Sequence, residues 1–249
     1  MRAVVLACLL GGCGRLGFDA RDFAAGDAKG SDSAIASDAA DASGNAMIQR
    51  WQETAVANTV GGAMLTLGTP SMPGSLLVLA IAANDLSSLG LPSGWTQAAT
   101  TGSNGACFGL IAYLPNNPGG IGSITYTMST GAPSVAQLIE IANASTTAPL
   151  DAVGQIAASS PVVSQTVSTS TSTTSPQELA VTLFCEDVNM PTYSPAGSAW
   201  MRLGTFSNSS SSPSYEAEYS LVPATMVVTA TVTSDVAGKY TGLIATFRP

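Results

Sequence analysis

Few side chains in this chain of 249 residues are able to do acid–base or nucleophilic chemistry, and histidine is absent. Its absence excludes Ser-His-Asp and Cys-His catalysis and the usual ligand sets of zinc and non-haem iron. Gly61-Gly62 and Gly119-Gly120 lack the strand-loop-helix context and the Lys-Ser/Thr ending of a phosphate-binding loop. The sequence therefore predicts no catalytic residue, no metal site and no cofactor.

Two pairs of carboxylates remain to be considered as candidates for catalysis or for calcium binding. Glu216 and Glu218 alternate along a predicted strand and share one face of it. Glycosidases use two acids to flank a bond, but alternating acids are more typical of a solvated outer face, which we predict here. Glu186 and Asp187 follow a strand where Ala83 to Asp85 stands earlier in the chain. We interpret them as solubilising turn acids, with a calcium site as the alternative.

Trp95 and Trp200 follow turn residues at matching places in two halves of the chain. Two equivalent large side chains are typical of core residues, and we predict core packing. In exposed loops the same side chains would contact a ligand, by stacking on sugar rings or anchoring a protein partner. That ligand-contact role is the alternative.

The four cysteines separate by position. Cys8 and Cys13 are near the amino terminus, whereas Cys107 and Cys185 are in the region predicted to fold. An exported compartment permits a disulfide between these last two. Two free thiols that pack as small hydrophobic side chains are the alternative, and both interpretations fit the sequence.

The first residues combine a positive charge at Arg2, an apolar run from Ala3 to Leu10 and two glycines before Cys13. This order is that of a secretory signal peptide, and the apolar run is too short to span about 30 Å of hydrocarbon. Leu10-Gly11-Gly12-Cys13 resembles the lipobox of bacterial lipoproteins, in which the cysteine is acylated.

This resemblance implies a signal peptide over residues 1–12, a lipid anchor at Cys13 and a location in the bacterial cell envelope. Gly14 after the cysteine implies the outer membrane. Residues 13–47 are rich in Ala, Asp, Ser and Gly. They lack the apolar surface that would offset their ordering entropy, so we predict a flexible tether.

The charge balance narrows the class of partner. Only 10% of the residues are charged, against about 25% in typical domains, and the formal net charge is −8. Lysine and arginine form no cluster, and phosphate backbones are bound by such clusters. We therefore expect no nucleic acid as a partner.

Residues 74–142 and 177–248 carry the same order of features at an offset of about 103 to 106 residues. Four strands are predicted in each copy, at 76–81, 107–114, 124–127 and 135–141, and at 179–184, 215–221, 226–232 and 240–247. Their spacing predicts an all-β β-sandwich over residues 48–249, with one or two edge strands in 48–70. Two matched four-strand halves favour a jelly roll with one shared core, and two tandem domains are the alternative.

A second resemblance rests on short motifs in this region. They are Gly74-Ser75-Leu76-Leu77-Val78, Pro92-Ser93-Gly94-Trp95-Thr96, a strand ending at Tyr113, Glu140-Ile141 and Ala148-Pro149-Leu150-Asp151-Ala152. Their order resembles a widespread group of β-sandwich domains in bacterial surface proteins and phage virions. The resemblance implies a fold and a surface setting but no reaction.

These observations predict a lipid-anchored domain with a non-catalytic binding or structural role at the cell envelope, and with a glycan or an envelope protein as its partner. The alternative is a carbohydrate-active hydrolase that uses paired carboxylates. A groove with two acids about 5 to 10 Å apart would favour the hydrolase. A flat or aromatic-lined face would favour binding.

Overall fold

A computed structural model describes residues 48–87, 89–102, 107–128, 132–186, 188, 191–207 and 213–249. Within these ranges the chain forms 16 β-strands, every one paired antiparallel. None of the described residues forms a helix long and apolar enough to cross a membrane. The predicted all-β β-sandwich is confirmed. The predicted signal peptide, Cys13 and the tether up to residue 47 lie outside the described residues.

The strands divide into two sets of eight, which we call the first half and the second half. The first half contains β1 (Gln49–Val60), β2 (Gly62–Thr66), β3 (Leu76–Ala83), β4 (Leu89–Gly90), β5 (Thr96–Thr101), β6 (Phe108–Leu114), β7 (Ser123–Met128) and β8 (Pro133–Ala142). The second half contains β9 (Leu150–Ala157), β10 (Val162–Ser168), β11 (Glu178–Glu186), β12 (Tyr193–Ser194), β13 (Met201–Phe206), β14 (Ser214–Val222), β15 (Thr229–Gly238) and β16 (Tyr240–Phe247).

The two halves have the same connectivity. The first half forms a five-stranded sheet, β1-β8-β3-β6-β5, and a three-stranded sheet, β2-β7-β4. The second half forms β9-β16-β11-β14-β13 and β10-β15-β12, which is the same order with eight added to each number. The repeat therefore has eight strands in each half, and the prediction of four was wrong. The missed strands are short or polar, and they lack the apolar runs on which the prediction relied.

The expected edge strands in residues 48–70 are present. β1 and β2 lie at the edges of the five-stranded and three-stranded sheets of the first half. A single jelly roll made from the whole chain is not confirmed, because the eight strands of one half already form two facing sheets. The prediction placed strands of both halves in one sandwich and left out β4, β5, β9, β10, β12 and β13, so it did not separate a pair of sheets within each half.

The four sheets stack in four layers, with the five-stranded sheets packed against each other in the middle. Successive residues of β3 show this arrangement, because they point alternately to two different apolar clusters. Leu76 and Val78 belong to a central cluster that both halves contribute, whereas Leu77 and Leu79 belong to a cluster within the first half. All eight residues of β3 and all nine of β11 are buried. A strand covered on both faces requires the continuous apolar run seen in the sequence.

A disulfide between Cys107 and Cys185 joins the halves through this central layer, with their Cα atoms 6.2 Å apart. Beside it, the Thr241 hydroxyl donates a hydrogen bond to the Cys107 carbonyl at 3.0 Å. Gly109 lies so close to the second half that a Cβ there would stand 3.0 Å from Leu243 Cδ1. The halves are thus held together by apolar packing, by hydrogen bonding and by a covalent bond.

Removal of the disulfide should lower the free energy of unfolding by about 4 kcal/mol, because a crosslink between residues this far apart in the chain restricts the unfolded state strongly. Guanidinium unfolding of the Cys107→Ala/Cys185→Ala variant measures this. A reductant should lower the stability of the wild type and leave the variant unchanged. Equal unfolding midpoints for oxidised and reduced wild type would contradict the prediction.

Candidate functional site

A groove of about 620 Å³ opens where the two halves meet at one edge of the central layers. Its walls come from β5 and β9, which are the edge strands of the two five-stranded sheets, and from β10. The lining residues are Gln97, Ala98, Ala99, Thr100, Val153, Gly154, Gln155, Ser168 and Ser170. The volume lies in the range of small-ligand sites. Among these described residues none is charged.

Close contact between backbones shapes the groove. A Cβ at Gly154 would stand 1.8 Å from the Ser168 carbonyl oxygen, so only glycine allows β10 to cross β9 here. Ser170 fixes the rim, because its backbone N–H and its hydroxyl both donate to the Val153 carbonyl, at 2.8 and 3.0 Å. Gln97 and Gln155 are exposed on the two edge strands. The groove therefore offers amides and hydroxyls from fixed backbones.

A second cluster of polar groups lies inside the second half. Glu186, Glu216 and Glu218 are completely buried on the face of the five-stranded sheet that turns toward β12 and β15. Arg202 Nε donates to Glu216 at 2.5 Å. The Ala196 backbone N–H donates to both oxygens of Glu218, at 3.0 and 3.2 Å. These contacts hold the loop between β12 and β13 against the sheet.

The prediction that Glu216 and Glu218 form a solvated outer face is wrong. Their strand, β14, lies inside a five-stranded sheet, with both faces covered. Tyr215 and Ala217 contribute to the central cluster on one face, and the three-stranded sheet covers the other. Glu186 is likewise no solubilising turn acid, because it is the last residue of β11 and is fully buried.

Burial governs the ionisation of these glutamates. It raises the pKa of Glu216 to about 7, and the contact with Arg202 limits that rise. It also raises the pKa of Glu218, against the opposing hydrogen bonds from Ala196 and Glu216. Burial and the neighbouring Glu186 carboxylate raise the pKa of Tyr193 well above its usual range. Burial therefore favours the protonated form of these glutamates.

The first half serves as an internal control for this cluster. The equivalent positions, read from the registers of β3–β6 and β11–β14, are Leu110 for Glu216, Ala112 for Glu218 and Ala83 for Glu186. All three equivalents are buried in the apolar cluster of the first half. The fold therefore does not require carboxylates here, and burying them costs free energy unless they are paired and hydrogen-bonded.

Other buried carboxylates fasten loops. Glu140 accepts hydrogen bonds from Gln52 at 2.6 Å, from the Met72 backbone at 2.6 Å and from Ser75 at 2.7 Å. In the second half, burial raises the pKa of Glu178 to about 7, and its hydrogen bond with Asp151 adds to the rise.

The pKa of Asp151 is shifted in the opposite direction. Burial alone would raise its pKa, but hydrogen bonds from Glu178, Thr174 and Arg248 hold it at about 2. This network ties the carboxyl-terminal Arg248 to β9, and we interpret it as structural.

The two tryptophans occupy equivalent places, directly before β5 and β13. Trp95 is half-buried and packs against the apolar cluster of the first half, and Trp200 is buried in that of the second half. The structure does not bring them together, and neither lines the groove. Asp187 lies outside the described residues. The described residues contain no group of three or more His, Cys, Asp or Glu placed to hold a metal ion.

Sequence reasoning missed the groove. Gln97 lies in the first half of the chain and Gln155 and Ser168 lie in the second half, and no local motif connects them. The usable signal was the Ser/Thr-rich stretch around β10, where hydroxyl side chains alternate with Val167.

Comparisons with protein-family models, with curated proteins and with solved structures find no match to this chain. The fold and the groove define a four-layer β-sandwich protein with an uncharged cleft, lined by amides, hydroxyls and small apolar side chains, between two repeated halves.

The buried glutamates predict an unusual dependence of stability on pH. The folded state keeps protons on Glu216 and Glu178 that the unfolded chain releases above about pH 4.5. The free energy of unfolding should therefore fall as the pH rises from about 4.5 to about 7. In Glu216→Gln, which cannot ionise, this fall should be shallower in urea unfolding measured across that range.

Asp235→Asn is the matched control. The Thr192 backbone N–H lowers the pKa of Asp235, so this exposed carboxylate is already ionised throughout the window, and its replacement should leave the slope unchanged. A slope in Glu216→Gln identical to that of the wild type would refute the assignment.

Proposed function

We propose that this protein is a non-catalytic binding domain of the bacterial cell envelope, anchored by lipid at Cys13, and that the groove between β5 and β9 binds a neutral glycan. The groove carries the proposal. Its polar groups are the amides of Gln97 and Gln155 and the hydroxyls of Thr100, Ser168 and Ser170. A glycan presents many hydroxyls and no charge, which matches this lining.

The absence of charge among the described groove residues argues against ionic ligands. A phosphorylated or sulfated ligand would lose its hydration without gaining a charged partner. Nucleic acid is disfavoured for the same reason, since its affinity comes largely from phosphate contacts. Amides and hydroxyls both donate and accept hydrogen bonds, so they satisfy the hydroxyls of a sugar in either role.

The hydrolase alternative has one observation in its favour. The pKa of Glu216 is raised to about 7, as in the general acid of a glycosidase. Glu216 and Glu218 are fully buried, however, and lie between the sheets of the second half rather than in the groove. A glycosidase needs its acids on both sides of the bound sugar, so binding without hydrolysis is the better-supported function.

Binding of a neutral glycan by the intact, detergent-solubilised protein should depend on the groove amides. On a glycan array, Gln97→Ala/Gln155→Ala should weaken binding at least about tenfold, the effect of losing one or two hydrogen bonds to the ligand. Thr125→Ala, which changes an exposed threonine on the outer sheet of the first half, should bind like the wild type.

Equal binding by the groove variant and the wild type would contradict the assignment of the groove. Release of reducing sugar ends from a bound glycan, lost in Glu216→Gln, would replace the binding function with the hydrolase.

The anchor is tested separately. Expressed with export intact, the wild type should carry acyl mass and partition into the detergent phase of a cloud-point extraction. Cys13→Ala should remain in the aqueous phase, and Cys8→Ala should behave like the wild type. Intact mass spectrometry of the membrane fraction reads the result. A wild type without acyl mass, or a Cys13→Ala protein that stays in the detergent phase, would rule out the anchor.

A further inference from the structure

The exposed face of the strand pair β10–β15 carries a two-column array of hydroxyls, which we call the hydroxyl ladder. Its rungs are cross-strand pairs of Ser or Thr. The oxygen–oxygen distances are 2.9 Å for Ser168–Thr229, 2.7 Å for Thr166–Thr231 and 3.4 Å for Thr233–Ser164. Apolar residues alternate with them on β15, where Ala230 and Val232 point into the core.

The hydroxyl ladder continues the groove. Ser168 forms the first rung and also lines the groove. From there the rungs follow β10 in steps of two residues, so the ladder runs about 13 Å beyond the groove. Groove and ladder therefore meet at Ser168, and the side chains of both are uncharged.

No charge interrupts the rungs. The nearest carboxylate on β15 is Asp235, beyond the last rung, and it accepts a hydrogen bond from the Thr192 backbone at 2.7 Å. Each threonine also presents a methyl group beside its hydroxyl. The surface therefore alternates small apolar and hydrogen-bonding groups, as the faces of sugar rings do.

The first half lacks such a ladder on the equivalent strand pair. The cross-strand pairs of β2–β7 are Thr66–Ser123, Met64–Thr125 and Gly62–Thr127. Met64 is 61% exposed and stands where the second half has Thr166. The fold thus accepts an apolar side chain or a glycine at these positions, so the complete array is a feature of the second half alone.

We infer that the groove and the hydroxyl ladder form one binding track for an extended, neutral polysaccharide, with part of the chain in the groove and the following sugars along the ladder. This inference rests on the proposed glycan-binding function and deepens it, because it states that the ligand is a polymer rather than a short saccharide. Continuity with the groove and the uncharged lining of both surfaces favour this occupant over a protein.

Affinity electrophoresis of the intact protein in detergent tests the track. The gels contain dextran, galactomannan, xyloglucan or amylose as neutral polymers, and alginate as the anionic control. The ladder variant is Thr166→Val/Thr231→Val, which removes two hydroxyls but keeps the β-branched shape. Thr125→Val/Thr127→Val makes the same exchange on the outer sheet of the first half and is the matched control.

The wild type should be retarded by at least one neutral polymer. The ladder variant should bind that polymer about tenfold more weakly, as expected for two lost hydrogen bonds, and the matched control should bind like the wild type. A trisaccharide of the same sugar, titrated by calorimetry, should bind the ladder variant and the wild type equally. The groove variant Gln97→Ala/Gln155→Ala should lose both kinds of binding.

Wild-type protein provides a second test that needs no substitution. Affinity for oligosaccharides of the retarding polymer should keep rising with length beyond the number of sugars that the groove holds.

Each failure has its own meaning. Normal retardation of the ladder variant, or an affinity that reaches its plateau at the length of the groove, would overturn the track and leave the glycan-binding groove standing. No retardation by any neutral polymer, or retardation by alginate alone, would overturn both.

Discussion

Burial of both faces of the inner strands of the two five-stranded sheets is the constraint on which the rest of this structure depends. An ordinary two-layer sandwich covers one face of each sheet and leaves the other to water. Here β3 and β11 are buried along their whole length, so each half presents a large apolar face that only the other half covers. The disulfide and the close approach at Gly109 reinforce a contact that apolar packing already requires.

This constraint explains which parts of the fold could be predicted from the sequence. Continuous apolar runs identify β3, β6, β8, β11 and β16, because such strands need no polar face. Strands without a continuous apolar run were not predicted. Examples are β9 and β13, which lie at the sheet edges and carry polar residues. The four-layer arrangement was missed with them, and so was the burial of Glu216, since the reasoning for alternating acids assumes that one face of a strand meets water.

Comparison of the two repeated halves distinguishes the residues that the fold requires from those that are specific to one half. Where the first half has Leu110, the second half has Glu216, and where the first half has Met64, the second half has Thr166. Both copies form the same sheets, so neither polar residue is needed for the topology. The buried glutamate and the exposed hydroxyl have different roles. Glu216 accepts a hydrogen bond from Arg202 on β13, and Thr166 extends an uncharged surface.

The groove depends on the association of the two halves rather than on either one. Its walls are edge strands of different sheets, with Gln97 on β5 and Gln155 on β9, and the edges meet only because the five-stranded sheets pack face to face. Neither half alone would bring those amides to one groove. The groove therefore exists only when the central layer has packed. For the same reason the sequence conceals the groove, because its residues become neighbours only after two apolar faces, one from each half of the chain, have covered each other.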